Sequence, residues 1–201
     1  MDGIALMATA MDAAKRRLDV SAANLANVST DGFHKHLAHV AFTERGLVAS
    51  SSVDNSQGAL KHTGRNFDLA IVGSGGFLVR ERGGALAETR TGSFERDVAG
   101  HLVDEIGRML MGRHGPVVAS ANAMIDARGI VRDAGSVAAQ IQLRPGTTVQ
   151  SGFLEGANVD AVREMVDVLE AQRAFETAQK TLGAIDDSRQ KDVNDVVRVK
   201  S

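Results

Sequence analysis

The strongest constraint on this chain is a stripe at its beginning. From Ile4 to Val28 the apolar and small residues fall at Ile4, Met7, Met11, Ala14, Leu18, Ser21, Leu25 and Val28, in alternating steps of three and four. A 3.5-residue repeat held over more than three heptads keeps one narrow stripe on one side of a helix, which is the pattern of a coiled-coil seam and not of an ordinary core helix. Asp12, Lys15, Arg16, Arg17, Asp19 and Asn24 take the other faces, so the helix has one adhesive stripe and a solvated back. The pattern stops at Asn27-Val28-Ser29-Thr30-Asp31-Gly32, where Asp and Gly supply turn geometry.

A second helical pattern closes the chain, from Asn158 to about Ile185. Asn158 is the expected N-cap, with Asp160 in the first turn. Apolar positions recur at Val159, Val162, Met165, Val166, Leu169, Phe175, Ala178, Leu182 and Ile185, with Gln172 and Arg173 interrupting the seam. Residues 186–201 are charged and either extend the helix or fray. Between the helices, short runs rich in Val, Ile, Leu and Phe alternate with Gly and Asp turns, as in Phe67-Asp68-Leu69-Ala70-Ile71-Val72 before Gly73-Ser74-Gly75-Gly76, which reads as antiparallel β-structure. Two segments echo each other, Asp97 to Asp104 and Asp126 to Asp133. Each reads as a tight hairpin, the Asp capping a turn whose Gly takes the left-handed position. The expected fold is mixed α+β: an N-terminal helical assembly segment over 1–32, a β-rich middle domain over 33–150, and a C-terminal helical assembly segment over 151–201. The two helices pack together as coiled-coil-type partners. Neither can bury its stripe alone, and antiparallel pairing leaves apolar surface for neighbouring subunits.

Composition removes several functions. There is no Cys, which excludes a disulfide framework, thiolate zinc sites, iron–sulfur clusters and a Cys nucleophile. Lys plus Arg of 23 against Asp plus Glu of 25 gives a formal charge of -2, without the basic footprint of a nucleic-acid binder. The first residues lack a basic start and an unbroken apolar run, and no stretch approaches bilayer-spanning length, so neither a cleaved signal peptide nor stable membrane insertion is expected. Only 3% of residues are aromatic, all Phe, beside 21 Gly and 2 Pro, which suits Ala, Val, Leu and Met packed over extended surfaces. His34-Lys35-His36 with His39 is the only metal-like cluster, and strand alternation turns His39 away from the other two. Gly73-Ser74-Gly75-Gly76 precedes another β-run instead of a helix, so it reads as a turn and not a phosphate loop. Ser74 and Ser93 lack a nucleophile elbow, and the carboxylate pairs Asp104-Glu105 and Asp186-Asp187 are adjacent and diverge. No catalytic, cofactor-binding or metal-ligating residue is expected, and the protein is read as a non-enzyme.

Three separated stretches resemble the flagellar rod and hook protein family. The first is Asn24-Leu25-Ala26-Asn27-Val28-Ser29-Thr30-Asp31-Gly32-Phe33. The second comprises Gln57-Gly58-Ala59-Leu60, Thr63-Gly64, Phe67 to Ile71, Gly73 to Phe77 and Arg90-Thr91-Gly92-Ser93-Phe94. The third is Gly152 to Asp160, with Glu155-Gly156-Ala157-Asn158-Val159, then Glu164-Met165-Val166 and Ala171 to Glu176. Within the family the likeness is to the longer distal or proximal rod subunits. The resemblance implies a structural subunit of the basal-body rod, in the part of the flagellum that spans the periplasm. Such a subunit is exported unfolded through the flagellar type III apparatus and polymerises into a helical tube with copies of itself and other axial proteins. A low-copy scaffold, cap or hook-type axial protein is the alternative. The expected assembly interface is Ile4, Met7, Met11, Leu18, Leu25 and Val28 with Val162, Met165, Leu169, Gln172, Phe175 and Leu182. Asn24, Leu25, Ala26, Asn27, Gly32, Phe33, Gly156, Asn158 and Val159 carry the family motif.

Overall fold

A computed structural model describes the backbone of residues 3–44 and 46–199 and the side chains through Lys191. The chain divides into two compact units. The first holds residues 3–26, 36–54 and 159–199 among those described, and the second holds 27–35 and 55–158.

In the first unit, helix α1 (Gly3–Ala26) pairs with the 39-residue helix α2 (Ala161–Val199). Contacts run in opposite chain directions, from Gly3 beside Ile185 through Arg17 near Glu170 to Asn24 bonded to Glu164, so the pair is antiparallel. Ala13, Ala14 and Ser21 of α1 and Ala171 and Ala178 of α2 are buried. Short side chains here let the two backbones approach closely, and the longer seam residues pack around them. Two expectations about the helices change, and one left open is decided. Helix α1 ends at Ala26, which leaves Val28 in a turn where Thr30 N–H donates to the Asn27 carbonyl at 3.0 Å. Helix α2 starts at Ala161 because Asp160, not Asn158, is its cap: Asp160 Oδ1 accepts from the N–H groups of Val162 and Arg163 at 3.0 and 3.2 Å. The charged residues after Ile185 extend the helix.

The hairpin of β1 (His36–Thr43) and β2 (Gly46–Val53) belongs to this same unit, whereas its sequence reads as part of the β-rich middle. Its register runs from His36 opposite Val53 to Thr43 opposite Gly46. Two strands alone are marginal in water. Here Thr9 of α1 supports the hairpin, its Oγ1 accepting from Leu47 N–H at 3.3 Å.

The second unit is antiparallel β throughout its paired strands. Strand β3 (Leu60–His62) pairs with β15 (Phe153–Glu155), and β4 (Leu69–Val72) pairs with β14 (Thr148–Ser151). The largest sheet runs β6 (Leu86–Thr89), β5 (Phe77–Arg80), β9 (Met109–Gly112), β8 (Leu102–Asp104), β7 (Phe94–Arg96), with β10 (Gly115–Pro116) on β9. A smaller sheet orders β11 (Met124–Ile125), β12 (Ile130–Asp133) and β13 (Ser136–Gln140). Leu69, Ile71, Phe77, Val79, Leu102 and Leu110 are fully buried in one apolar cluster, with the rings of Phe77 and Phe94 edge to face at 5.4 Å. Beside it Arg65 bonds the buried Asp68, and that hydrogen bond and charge raise the guanidinium above its ordinary value.

The two echoed hairpins form as expected. Asp97 Oδ1 accepts from Ala99 and His101 N–H, and Asp126 Oδ1 accepts from Arg128 and Ile130 N–H. Gly100 and Gly129 hold φ of 90° and 71°. A third copy of the device sits at Asp104, whose Oδ1 accepts from Ile106 and Arg108 N–H, with Gly107 at φ 80°.

Because the helix pair depends on small residues, enlarging one is expected to be costly. Ala171→Leu should destabilise the helical unit by about 1–3 kcal/mol, seen as a lower melting temperature in the far-UV helical signal.

Candidate assembly site and motif junction

The outward face of α2 is the clearest unpartnered surface of the first unit. The buried stripe of α2 is Glu164, Ala171 and Ala178, seven residues apart. The stripe one to two residues away is exposed: Val162 at 72%, Met165 at 52%, Val166 at 49% and Leu169 at 55%. These four occupy positions i, i+3, i+4 and i+7, one face of two helical turns, continued by exposed Gln172. The expected seam therefore lies on two faces. Val162, Met165, Leu169 and Gln172 point to solvent, while Phe175 and Leu182 are half-buried, as are Ile4, Met7, Met11, Leu18 and Leu25 of α1.

Asn24 fixes the end of α1. Its Oδ1 accepts from His36 N–H at 2.8 Å, and its Nδ2 donates to His36 O at 2.8 Å and to Glu164 Oε2 at 3.2 Å. One buried amide thus ties α1, the start of β1 and the start of α2 together. Such a group is satisfied only when all three are in place.

In the second unit the remaining motif stretches converge on Glu155. Its carboxylate is wholly buried. Oε2 accepts from Arg90 Nη1 at 2.8 Å, Oε1 accepts from Gly58 N–H at 2.9 Å, and His34 Nε2 lies 3.5 Å from Oε1. The main chain takes part as well: the Glu155 carbonyl accepts from Gly32 N–H at 2.6 Å. Gly32 has φ of 71°, and a Cβ there would collide with the main chain of Arg90 and Thr91. Gly58 is held for a different reason, since a Cβ there would run into the Gly156 carbonyl oxygen. Asn158 completes the ring, its Oδ1 accepting from Lys35 N–H at 2.6 Å and its Nδ2 donating to Ser56 O at 2.9 Å. Lys61 reaches Asp31 at 3.0 Å, and Gln57 Nε2 donates to Ile71 O at 2.9 Å. Four stretches far apart in sequence thus meet around one carboxylate, which holds chain to chain.

The description "Flagella basal body rod protein" matches residues 6–34, and "Flagellar basal body rod FlgEFG protein C-terminal" matches residues 150–196. The flagellar basal-body rod protein FlgG of Agrobacterium fabrum is 29% identical over 259 residues, covering 93% of this chain and 96% of the relative. The chain is thus similar to flagellar rod proteins at both ends and along most of its length. FlgF of Escherichia coli, also a flagellar basal-body rod protein, is 29% identical over 90% of the chain and 93% of its own length. The hook protein FlgE of Brucella abortus is 36% identical over 51% of the chain, yet over only 28% of its own length. The alignment with FlgG is longer than this whole chain of 201 residues, so the relative carries intervening residues with no counterpart here.

The two matched regions contain the structural features just described. The N-terminal match includes Asn24 and Gly32, and the C-terminal match includes Glu155, Asn158, Glu164 and the exposed α2 stripe. Among the motif residues expected from sequence, Gly32, Phe33, Gly156 and Asn158 meet in the junction, and Asn24 acts with α2. Leu25, Asn27 and Val159 are half-buried and Ala26 is exposed. Glu155, Arg90 and Glu164 lie inside the motif stretches, but no local pattern gives them a role. The available signal was at Glu155, a lone carboxylate beside Gly156 in otherwise apolar or small surroundings, the composition of a buried charge at a close chain approach; Arg90, between Thr89 and Thr91 and two residues from Glu88, carries no such signal. The His residues fall in three different settings: His34 at Glu155, His36 at Asn24 and His39 against Ser52 at 2.7 Å.

Gly32→Ala is expected to destabilise the β-unit by at least about 1–3 kcal/mol, the cost of a left-handed non-glycine residue, with the collision adding to it. Chemical denaturation followed by near-UV signals of Phe residues reads this directly.

Proposed function

We propose that this chain is a structural subunit of the bacterial flagellar basal-body rod, polymerising through its terminal helices into a helical axial tube. The observation that carries the reading is the exposed apolar stripe Val162, Met165, Val166 and Leu169, which lies in the region shared with the rod proteins and has no partner within the described residues. An apolar face on a helix already paired once calls for a second contact. When that contact is heterologous and does not close a ring, copies add without limit along a helix. The half-buried α1 seam, Ile4, Met7, Met11, Leu18 and Leu25 with Val28 beyond it, is the second part of the proposed interface, and Gln172, Phe175 and Leu182 extend the α2 part.

Partners on this reading are further copies, other rod and hook proteins, and the flagellar type III export machinery. A chain without Cys suits passage unfolded and assembly without covalent help. No described helix is long and apolar enough to cross a membrane. The protein acts by assembly and not by catalysis. Rod membership is favoured over a hook role because the rod relatives align along nearly their whole length and the hook relative does not.

Leu169→Asp places a charge in the stripe without touching the intramolecular seam. It is expected to lower incorporation into purified basal bodies at least about tenfold, the effect of losing one buried apolar side chain and burying a charge, while the far-UV spectrum of the free subunit stays unchanged. Normal incorporation of this variant would remove the stripe from the interface. Leu18→Asp, in the half-buried α1 seam, is expected to abolish incorporation while leaving the β-unit folded.

A further inference from the structure

We infer that residues 27–35 form a releasable strap, latched onto the β-unit by Glu155, which opens without melting the apolar core. The core cluster draws its side chains from residues 67–149. The strap is held elsewhere and by polar contacts: Gly32 N–H to the Glu155 carbonyl, Lys35 N–H to Asn158 Oδ1, Lys61 to Asp31, and Thr91 Oγ1 to the Asp31 carbonyl at 3.4 Å. Behind these stands the ion pair of Glu155, 0% exposed, with Arg90, 8% exposed.

The contacts include Asn158 N–H to the Phe33 carbonyl at 3.3 Å and His34 Nε2 at 3.5 Å from Glu155 Oε1, and they are specific and mutually dependent. A hydrogen-bonded attachment that adds little to the apolar core opens as its own cooperative unit, below the free energy of global unfolding. The charge on Glu155 is what holds the group together. Its carboxylate serves Arg90 and Gly58 at once while its main chain holds Gly32. A neutral side chain of the same size keeps an acceptor for Gly58 but leaves the buried Arg90 without its counter-charge. Residues 27–35 are also the covalent path from α1 to β1. The inference concerns the isolated subunit and does not rest on the rod reading.

Native-state hydrogen exchange of the full chain, across low urea concentrations, tests it. The amides of Gly32, Lys35 and Gly58 are expected to exchange through an opening with weak urea dependence, while those of Leu102 and Val117, bonded to Val117 O and Leu110 O, exchange only through the steep global event. In Glu155→Gln the first group should exchange at least about tenfold faster with the second group unchanged. A single common urea dependence for all five amides in the native chain would overturn the strap. So would equal acceleration of both groups in the variant, or no acceleration in either. Should Glu155→Gln fail to fold, the urea series on the native chain decides alone.

Discussion

A carboxylate buried away from water must be neutralised where it lies, and at Glu155 that requirement shapes the whole β-unit. Leaving it, or Arg90, without the other costs about 3–5 kcal/mol, a large fraction of the stability of a typical domain. The pair forms only when β15, the loop after β6 and the loop before β3 arrive together. Those segments lie up to 97 residues apart. The network therefore specifies how distant stretches are brought to one place, and the adjoining glycines follow from it. Gly32 and Gly58 are glycines because main chains cross there too closely for a Cβ. Asn24 plays the parallel part in the helical unit, where one amide serves two main-chain groups and the buried Glu164.

These two polar nodes separate the roles of the motif residues from the role of the exposed stripe. Asn24, Gly32, Gly156 and Asn158 face inward and hold each unit's chain segments in register. Val162, Met165, Val166 and Leu169 face outward and hold nothing within the subunit. On the proposed reading, the motifs build a subunit of defined shape and the α2 face joins it to others. The division explains how a chain can carry a detailed motif without carrying a catalytic site.

Much of the fold was legible in the sequence because local rules governed it. The terminal helices follow from apolar spacing, and the hairpins at Asp97 and Asp126 follow from Asp and Gly at fixed offsets. The third hairpin, at Asp104, obeys the same rule but was hidden because Glu105-Ile106 looks unlike its two relatives. The cap of α2 was misplaced by two residues because Asn158 and Asp160 have equal capping chemistry, and only the tertiary demand of Lys35 N–H and Ser56 draws Asn158 away. The position of the β1–β2 hairpin beside the helices depends on Thr9 and Asn24, which no local pattern reveals. Likewise, periodicity places Leu169 and Ala171 on nearly opposite faces of α2 but does not say which of them faces α1; the small residues win because they allow the helices to close.

The central claim is that the outward face of α2 meets other axial subunits while the junction stays internal. Because the chain has no Cys, a single Leu169→Cys provides a unique site for cross-linking in purified basal bodies. The account predicts a covalent adduct to a neighbouring rod-family chain, identified by mass spectrometry, at the yield of a contact position. Efficient incorporation of Leu169→Cys with the thiol freely modified and no adduct formed would contradict it.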